Sequence, residues 1–408
     1  MCKKITFSVI IPAYNSLKTI ERSVQSVLNQ SFKNFEILVV DDGSNKKTKN
    51  FQKKIFRKDK KIRLFSSSKN YGVSRSRNLA INKAKGDFII FLDSDDYLLN
   101  DYLENIHKII KRKNVELIIA PNKKIYGKLN GIQLYKQLFE KNKLSFFCWN
   151  YVLKRSFILK HKIFFENLKV FEDQLFVFKI FEKIKRYSFY KKKFIVRSEN
   201  FQSLGRLTNH HSCYAYALIV NRISNIISKT RDNTFSKYLK KKFFESINFF
   251  GLFSLICNNI QIIKYSKLII NANYFKKNFK VKDFNLIVKL FKNKNLHLFS
   301  TILKNKGFKK NDKIYIYSLS LNSRILIDLL KIKKIKIDKI IDNNELFLGK
   351  IYKDIRILNR FKKCEISNKL IFIPFEFNYF FKKQKIYSIK KEKLIFFKFN
   401  KFSDFLFK

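Results

Sequence analysis

The sequence predicts an α/β protein in three parts: a doubly wound sheet domain over residues 1–205, a basic helical region over 206–300, and a smaller α/β domain over 301–408. Three observations carry that expectation. Apolar runs rich in Ile, Val and Phe alternate with helix-period segments from Phe7 to Leu92. Two of these runs, Ile37–Val40 and Phe88–Leu92, lead into acid clusters, Asp41-Asp42-Gly43-Ser44 and Asp93-Ser94-Asp95-Asp96. A second strand–helix–strand pattern begins near Lys313, beyond a long aromatic and lysine-rich stretch. The length of 408 residues suits two or three domains, and a hydrophobic fraction of 46% is ample for packed cores.

Phe7-Ser8-Val9-Ile10-Ile11-Pro12 reads as the first strand, stopped by its proline. Tyr14-Asn15-Ser16 offers caps to a helix of about fifteen residues with apolar positions Ile20, Val24, Val27 and Leu28. Glu36–Val40 is the second strand, a lysine-rich helix follows, and Ile62–Phe65 is a short strand. Asn70–Ser74 makes a turn, Arg75–Lys85 a helix capped by Gly86, and Phe88–Leu92 the strand that delivers Asp93. Runs this apolar read as parallel strands buried on both faces. Both acid clusters then fall on the C-terminal edge of the sheet, where ligands of open α/β sheets collect. Further on, Leu98–Lys113 is expected as a helix, Glu116–Ala120 as a strand and Glu172–Arg186 as a helix. Tyr187–Val196 is expected as one strand before a polar loop near 198–205.

The charge points elsewhere. With 87 Lys and Arg against 31 Asp and Glu, the net charge is +56. A polyanion-binding surface would produce this. So would codon bias, since the enriched Lys, Asn, Ile and Phe all have A/T-rich codons. No zinc-finger spacing, RNP-like aromatic motif or isolated basic recognition helix is present, so no nucleic-acid partner is expected. Residues 206–300 hold three acids, Asp232, Glu245 and Asp283, against seventeen Lys or Arg. That imbalance fits a peripheral contact with an anionic membrane, or an ordinary helical subdomain of a lysine-biased chain. The apolar stretch from Ile247 to Ile263 is broken by Asn258-Asn259 and falls short of the roughly 20 residues that span a bilayer. Five scattered cysteines without CxxC spacing exclude a zinc or disulfide framework and fit a reducing cytoplasm. The strand at the very start leaves no room for a signal peptide, so the expected place is the cytoplasm, peripheral to the inner face of the cell membrane.

In the last part, Lys313–Ser318, Ile335–Ile341, Ile351–Ile357 and Lys369–Ile373 read as strands and Ser323–Leu330 as a helix, a small Rossmann-like unit. Its first turn, Ser318-Leu319-Ser320-Leu321-Asn322-Ser323, lacks the glycines that let a backbone approach a diphosphate, so no nucleotide is expected there. It is a candidate interaction module for a partner or a second copy of the chain.

Four pieces in order resemble the family 2 inverting glycosyltransferases. They are Ser8-Val9-Ile10-Ile11-Pro12-Ala13-Tyr14-Asn15, Asp41-Asp42-Gly43-Ser44, Asn70-Tyr71-Gly72-Val73-Ser74-Arg75-Ser76-Arg77-Asn78, and Gly86-Asp87 leading to Asp93-Ser94-Asp95-Asp96. The resemblance covers residues 5–205. It implies a GT-A-type doubly wound mixed sheet, a nucleotide-sugar donor of the UDP type, a divalent metal (Mg²⁺ or Mn²⁺), and a glycan or lipid-linked acceptor in cell-surface polysaccharide or lipopolysaccharide synthesis. By the same resemblance Asp42 reads the nucleobase edge with Asp41 beside it supporting the loop, Tyr14 packs on the base, and Pro12 fixes the strand end. Arg77 contacts base or phosphate; the alternative is a solvated helix-surface charge. Asp93, Asp95 and Asp96 hold the metal, Asp95 nearer the ribose. Hard cations take oxygen ligands and neutralise a diphosphate leaving group, so short carboxylates suit that task.

Phe171-Glu172-Asp173-Gln174 resembles the family's Glu-Asp element, with Asp173 as general base and Glu172 as acceptor contact or second choice. The alternative is a helix N-terminus decorated with acids. Cys148–Arg155 resembles the segment leading to that element, in which Trp149, the only tryptophan, is either a sugar platform or core. The competing class is a non-catalytic polyanion- or membrane-surface-binding protein on the same scaffold, which would show salt-steep binding and no donor affinity. Like charges held together have no physical reason to persist in a retired site, and they favour the enzyme.

Overall fold

The structure, a computed structural model, describes residues 5–57, 59–120, 129–141, 143–168, 170–198, 210–228, 233–274, 284–305, 314–317, 320–332, 334–341, 351–358, 370–374 and 394–397. Two compact units divide the chain, Met1–Asn200 and Phe201–Lys408.

The first unit is built on a seven-stranded sheet. Its strands are β1 (Phe7–Ala13), β2 (Phe35–Asp41), β3 (Ile62–Ser66), β4 (Phe88–Phe91), β6 (Leu117–Ile119), β7 (Tyr151–Lys154) and β8 (Tyr187–Phe189), in the order β3-β2-β1-β4-β7-β6-β8. β1 to β4 run parallel; β7 is antiparallel to both β4 and β6. The sheet is therefore mixed, and strand–helix alternation predicts direction only for the first four strands. Helix α5 (Gly131–Glu140) lies between β6 and β7, yet the two strands pair antiparallel, against the usual outcome of a long helical connection. Every residue of β1 and β2 is buried, as their unbroken apolar runs require. Burial of each of Val9, Ile10 and Ile11 contributes roughly 1.5–3 kcal/mol.

Pro12 does not stop β1, which continues to Ala13. The Ala13 carbonyl accepts from Asp42 N–H on the β2 side, whereas the Ile10 carbonyl accepts from Leu92 N–H on the β4 side. Alternation turns Pro12 toward the β4 side, where the pairing ends, so its missing N–H interrupts no ladder. Gly86 is likewise not a helix cap. Helix α3 (Val73–Lys83) ends at Ala84, and a Cβ on Gly86 would meet Ser8 N at 2.6 Å.

Other boundaries shift for local reasons. α1 spans only Ile20–Leu28, because the Ser16 carbonyl takes the Thr19 and Ile20 N–H groups in a preceding turn. The helix expected from Leu98 is α4 (Tyr102–Arg112); Tyr97–Leu98 forms strand β5, antiparallel to β9 (Ile195–Val196). The single strand expected at Tyr187–Val196 is thus two strands in different sheets, parted by the exposed Lys191-Lys192-Lys193 run.

In the second unit, helices α8 (His210–Ile227), α9 (Asn233–Ser254), α10 (Asn259–Ile270) and α11 (Phe284–Asn305) precede a six-stranded sheet. Its strands β10 (Ile314–Tyr317), β11 (Ile337–Ile341), β13 (Ile355–Leu358), β14 (Leu370–Pro374) and β15 (Leu394–Phe397) are parallel, and β12 (Ile351–Tyr352) is an antiparallel edge. Across the sheet the order is β12-β13-β11-β10-β14-β15, so the parallel strands follow the open doubly wound order 3-2-1-4-5. Ser318, Leu319, the Asp342-Asn343-Asn344 strand end and the polar loop beyond Ser198 lie outside the described residues. Among the described residues no helix is long and apolar enough to cross a membrane.

One buried carboxylate ties the first unit's strands together. Glu36 accepts from Ser8 Oγ at 2.7 Å and from the Lys85 and Gly86 N–H groups, and pairs with Arg63 at 2.7 Å. Burial alone would raise its carboxyl; the Arg63, Ser8 and Lys85 donors outweigh that and hold it below its ordinary value of 4.5. A lowered carboxylate stabilises the fold above its unfolded value and loses that contribution as pH falls through the folded value. Glu36→Gln should lower stability in urea unfolding at neutral pH by about 3 kcal/mol. The deficit should shrink in acid, where the wild-type carboxylate is protonated as well.

Candidate functional site

The C-terminal ends of β1, β2 and β4 carry the site loops. Asn15 adopts φ 49° at the exit of β1; its N–H donates to Ser44 Oγ at 2.8 Å and its side-chain carbonyl accepts from Asn45 N–H at 3.0 Å. These bonds fasten the loop after β1 to the loop after β2. Beside them Tyr14 stands 52% exposed, free to stack on a planar ring. Gly43 needs to be glycine twice over: its φ is +75°, and a Cβ would meet the Lys69 carbonyl carbon at 2.2 Å.

That close approach lets the buried Asp42 carboxylate accept the Tyr71 N–H at 2.9 Å and the Gly72 N–H at 2.7 Å. Each oxygen keeps a further lone pair for a ligand. Asp41 is fully buried, and among the described residues neither of its carboxylate oxygens has a hydrogen-bond partner. Asp42 holds the Tyr71–Gly72 turn through its carboxylate, and Asp41 holds the chain after β3 through its backbone carbonyl, which accepts the Ser67 N–H at 2.9 Å.

The second acid loop is clamped from two sides. From α1, Arg22 donates to the Asp95 carbonyl at 2.7 Å and Ser23 Oγ to the Ser94 carbonyl at 2.9 Å. From the end of β9, Ser198 N–H donates to Asp96 Oδ1 at 2.8 Å, and the Ser198 hydroxyl reaches the Asp95 carbonyl. Burial pushes the Asp96 carboxyl up to about 7; the Ser198 N–H opposes this, and Asp93 and Asp95 add to it. Among the described residues no three His, Cys, Asp or Glu side chains converge as a ready metal cage. A hard cation of the Mg²⁺ type commonly takes one or two carboxylates and completes its shell with phosphate oxygens and water. Asp95 and Asp96 fit that donor count. Asp93 fits it less well, since its Oδ1 is engaged by Arg77 at 2.9 Å.

Arg77 is the centre of the site. It lies on α3, whose neighbouring Asn78 exchanges both amide groups with the Phe165 backbone at 2.9 Å. Phe165 in turn stacks on Phe176 of helix α7 (Glu172–Lys183), with centroids 3.8 Å apart. α3 and α7 are so fixed that the Arg77 guanidinium, 3% exposed, enters between three carboxylates. Nη1 pairs with Glu172 at 2.7 Å and Asp173 at 3.1 Å, and Nη2 with Asp93. Arg77 is thus neither a surface charge nor a side chain presented to base or phosphate. Arg75, two residues away and so about 200° around the helix, is the exposed cation. It stacks over Tyr71 at 3.9 Å, with Lys69 near the same ring.

Glu172 and Asp173 open α7 after Phe171, a non-glycine residue at φ 60°, a strained position of the kind that collects at functional sites. Asp173 Oδ2 also accepts the Cys148 N–H at 3.3 Å. Burial pushes the Asp173 carboxyl up, Arg77 pulls it back, and Glu172 and Asp93 push again, leaving it at about 7. A carboxyl in that range suits proton transfer near neutrality.

Two residues of this region escape sequence reasoning, Arg22 and Phe147; Arg197, expected to open a polar loop over the diphosphate, lies beside two aromatic rings instead. Trp149 is largely buried and stacks on the half-exposed Phe147 at 4.4 Å and 10°, with Arg197 beside both rings. In the sequence Phe147 is one of an aromatic pair, Phe146-Phe147, and nothing marks it apart from a core residue.

The profile of Glycosyl transferase family 2 matches residues 8–184. The chain is 31% identical over 242 residues to the poly(ribitol-phosphate) β-N-acetylglucosaminyltransferase TarP of Staphylococcus aureus, covering 55% of this chain and 72% of TarP. It is 29% identical over 307 residues to the cholesterol galactosyltransferase of Borreliella burgdorferi, covering 69% of this chain and 83% of that one. That 69% of this chain is more than the first unit could supply, so this likeness runs on into the second. A crystal structure of S. aureus TarS in complex with UDP-GlcNAc is similar with a TM-score of 0.49 and 19% identity, covering 81% of this chain and 92% of that one. On the family profile and the shared length with TarP, the chain belongs to glycosyl transferase family 2 and is a glycosyltransferase.

Proposed function

We propose that this glycosyltransferase moves a hexose or N-acetylhexosamine from a UDP-type donor to a glycan or lipid-linked hydroxyl, with inversion, by direct displacement. The observation that carries the reading is the Arg77 hub. It sets a base of near-neutral affinity for protons, Asp173, across one guanidinium from the Asp93–Asp96 loop. The relatives named for galactose and N-acetylglucosamine transfer support the donor class.

On the donor side, Tyr14 offers an exposed ring to the base and Asp42 an acceptor for a base N–H, while Arg75 faces the phosphates. Asp95 and Asp96 would hold Mg²⁺ or Mn²⁺, which when bound supplies positive charge against the diphosphate leaving group. On the acceptor side, Asp173 takes the hydroxyl proton as the acceptor oxygen forms its bond to the anomeric carbon. The bond from that carbon to the diphosphate oxygen breaks, and the electron pair leaves with the nucleotide. Glu172, bound to Arg77, keeps the guanidinium in register for Asp173. Cell-surface polysaccharide or lipopolysaccharide synthesis is the setting we infer.

Membrane contact belongs to the same proposal. α10 begins with an Asn258–Gln261 capping box and exposes Ile260 (78%) and Ile263 (41%) next to the exposed Lys264 and Lys267. Paired isoleucines rimmed by lysines suit the interface of an anionic bilayer, with the chain held peripherally at the inner face of the cell membrane. Buried free thiols at Cys148, Cys213 and Cys257 accord with that reducing compartment. Residues 301–408 are proposed as a docking module for a partner or a second copy.

Two measurements test these readings. Asp173→Asn should reduce transfer by roughly 10²–10⁴-fold with donor affinity kept. The wild-type rate should climb as pH rises through about 7, where the carboxyl becomes the base, and the residual rate of the variant should lack that limb. Full transfer by Asp173→Asn would remove Asp173 from the reaction. In co-sedimentation with phosphatidylglycerol vesicles, Ile260→Asp combined with Ile263→Asp should weaken binding about tenfold or more, roughly 1.4 kcal/mol. Equal binding by the variant would remove α10 from the membrane contact.

A further inference from the structure

We infer that Phe147 is a stacking platform for a pyranose ring beside the proposed base, with Trp149 as its backing and Arg197 as its polar rim. The inference rests on Asp173 being that base, and it assigns to Phe147 a binding role that Trp149 is too buried to perform itself.

Among the described residues the geometry leaves one face of Phe147 open. Phe147 and Trp149 lie nearly parallel with centroids 4.4 Å apart, which covers one Phe147 face. Arg197 lies 5.1 Å from the Phe147 centroid and 5.3 Å from the Trp149 centroid. A guanidinium on the far side of Phe147 would stand much farther from Trp149 than from Phe147. Near-equal distances put Arg197 alongside the edge of the stack. The outer face of Phe147 is therefore turned to solvent, in keeping with its 43% exposure, against 7% for Trp149.

The platform is rigid and close to the reaction. Phe147 N–H donates to Ser145 Oγ at 3.2 Å, and the Tyr151 hydroxyl holds the Ser145 carbonyl. The next residue, Cys148, gives its N–H to Asp173 Oδ2, so one peptide unit links the platform to the base. A flat apolar ring with a cation at its edge, fixed before a ligand arrives, matches a sugar: C–H groups of one pyranose face pack on the ring, and hydroxyls reach the guanidinium. An exposed aromatic of this size is otherwise unfavourable in water. The pyranose could belong to the acceptor or to the donor, and the chemistry is shared.

Trp149 is the single tryptophan of the chain, so its fluorescence reports directly on this stack. The full chain would be titrated with methyl β-galactopyranoside, methyl β-N-acetylglucosaminide, UDP and UDP-GlcNAc with Mn²⁺, with affinities also measured by calorimetry. A change with the methyl glycosides alone assigns the platform to the acceptor. A change with UDP-GlcNAc but not with UDP assigns it to the donor sugar. In either case Phe147→Leu should weaken the sugar-dependent affinity about tenfold, Phe147→Tyr should restore it, and UDP affinity should not move. Pyranose affinity equal in Phe147→Leu and wild type, or no pyranose response at all while UDP binds, would overturn the inference. Loss of the Asp173 pH limb is a separate result that strikes the base assignment and not the platform.

Discussion

A single buried guanidinium sets the terms for the catalytic unit. Arg77 is 3% exposed and faces Asp93, Glu172 and Asp173 within 3.1 Å. Removing the guanidinium would leave three carboxylates facing one another in a poorly solvated place, so the acids depend on the arginine for their positions. They come from three separate segments: the loop after β4, the start of α7 and the middle of α3. The packing of Phe165 on Phe176, and the grip of Asn78 on the Phe165 backbone, serve this registration as much as they serve the core.

The other loops follow from backbone constraints that only particular residues satisfy. Gly43 brings the Asp42 loop against Lys69 and Asn70, which makes the Asp42 carboxylate available to the Tyr71–Gly72 turn. Gly86 passes close to Ser8 under the Glu36 carboxylate, which fixes where β4 begins and hence where Asp93 emerges. Polar anchors thus position the edge, and apolar strands such as β1 and β2 hold it rigid.

Much of this was legible in the sequence, because parallel strands buried on both faces write themselves as unbroken apolar runs. Ile37–Val40 and Phe88–Leu92 placed both acid loops at the correct strand ends. Less legible was anything that depends on partners distant in the chain. Arg77 looks like Arg75 in sequence, and only the approach of α7 decides which of the two is buried. β5 and β9 are too short to carry a period, so Leu98 reads as the start of the following helix and Ile195–Val196 as the end of a longer strand. Asp41 and Asp42 are adjacent acids of equal standing until the turn at Tyr71–Gly72 selects one. Trp149 drew attention as a rare residue, yet the exposed surface belongs to its neighbour Phe147.

The most direct test of the Arg77 constraint is the pH–rate profile of sugar transfer for Arg77→Lys and Arg77→Gln, with folding monitored by thermal unfolding. Arg77 is the group that pulls the Asp173 carboxyl down against burial. Weakening it should move the acid limb of the profile to higher pH, by about one unit for each 1.36 kcal/mol of lost interaction. Lysine, a single point charge without the fork, should move it less than glutamine. A folded Arg77→Gln enzyme whose acid limb stays where the wild type has it would contradict the claim that this guanidinium organises the site.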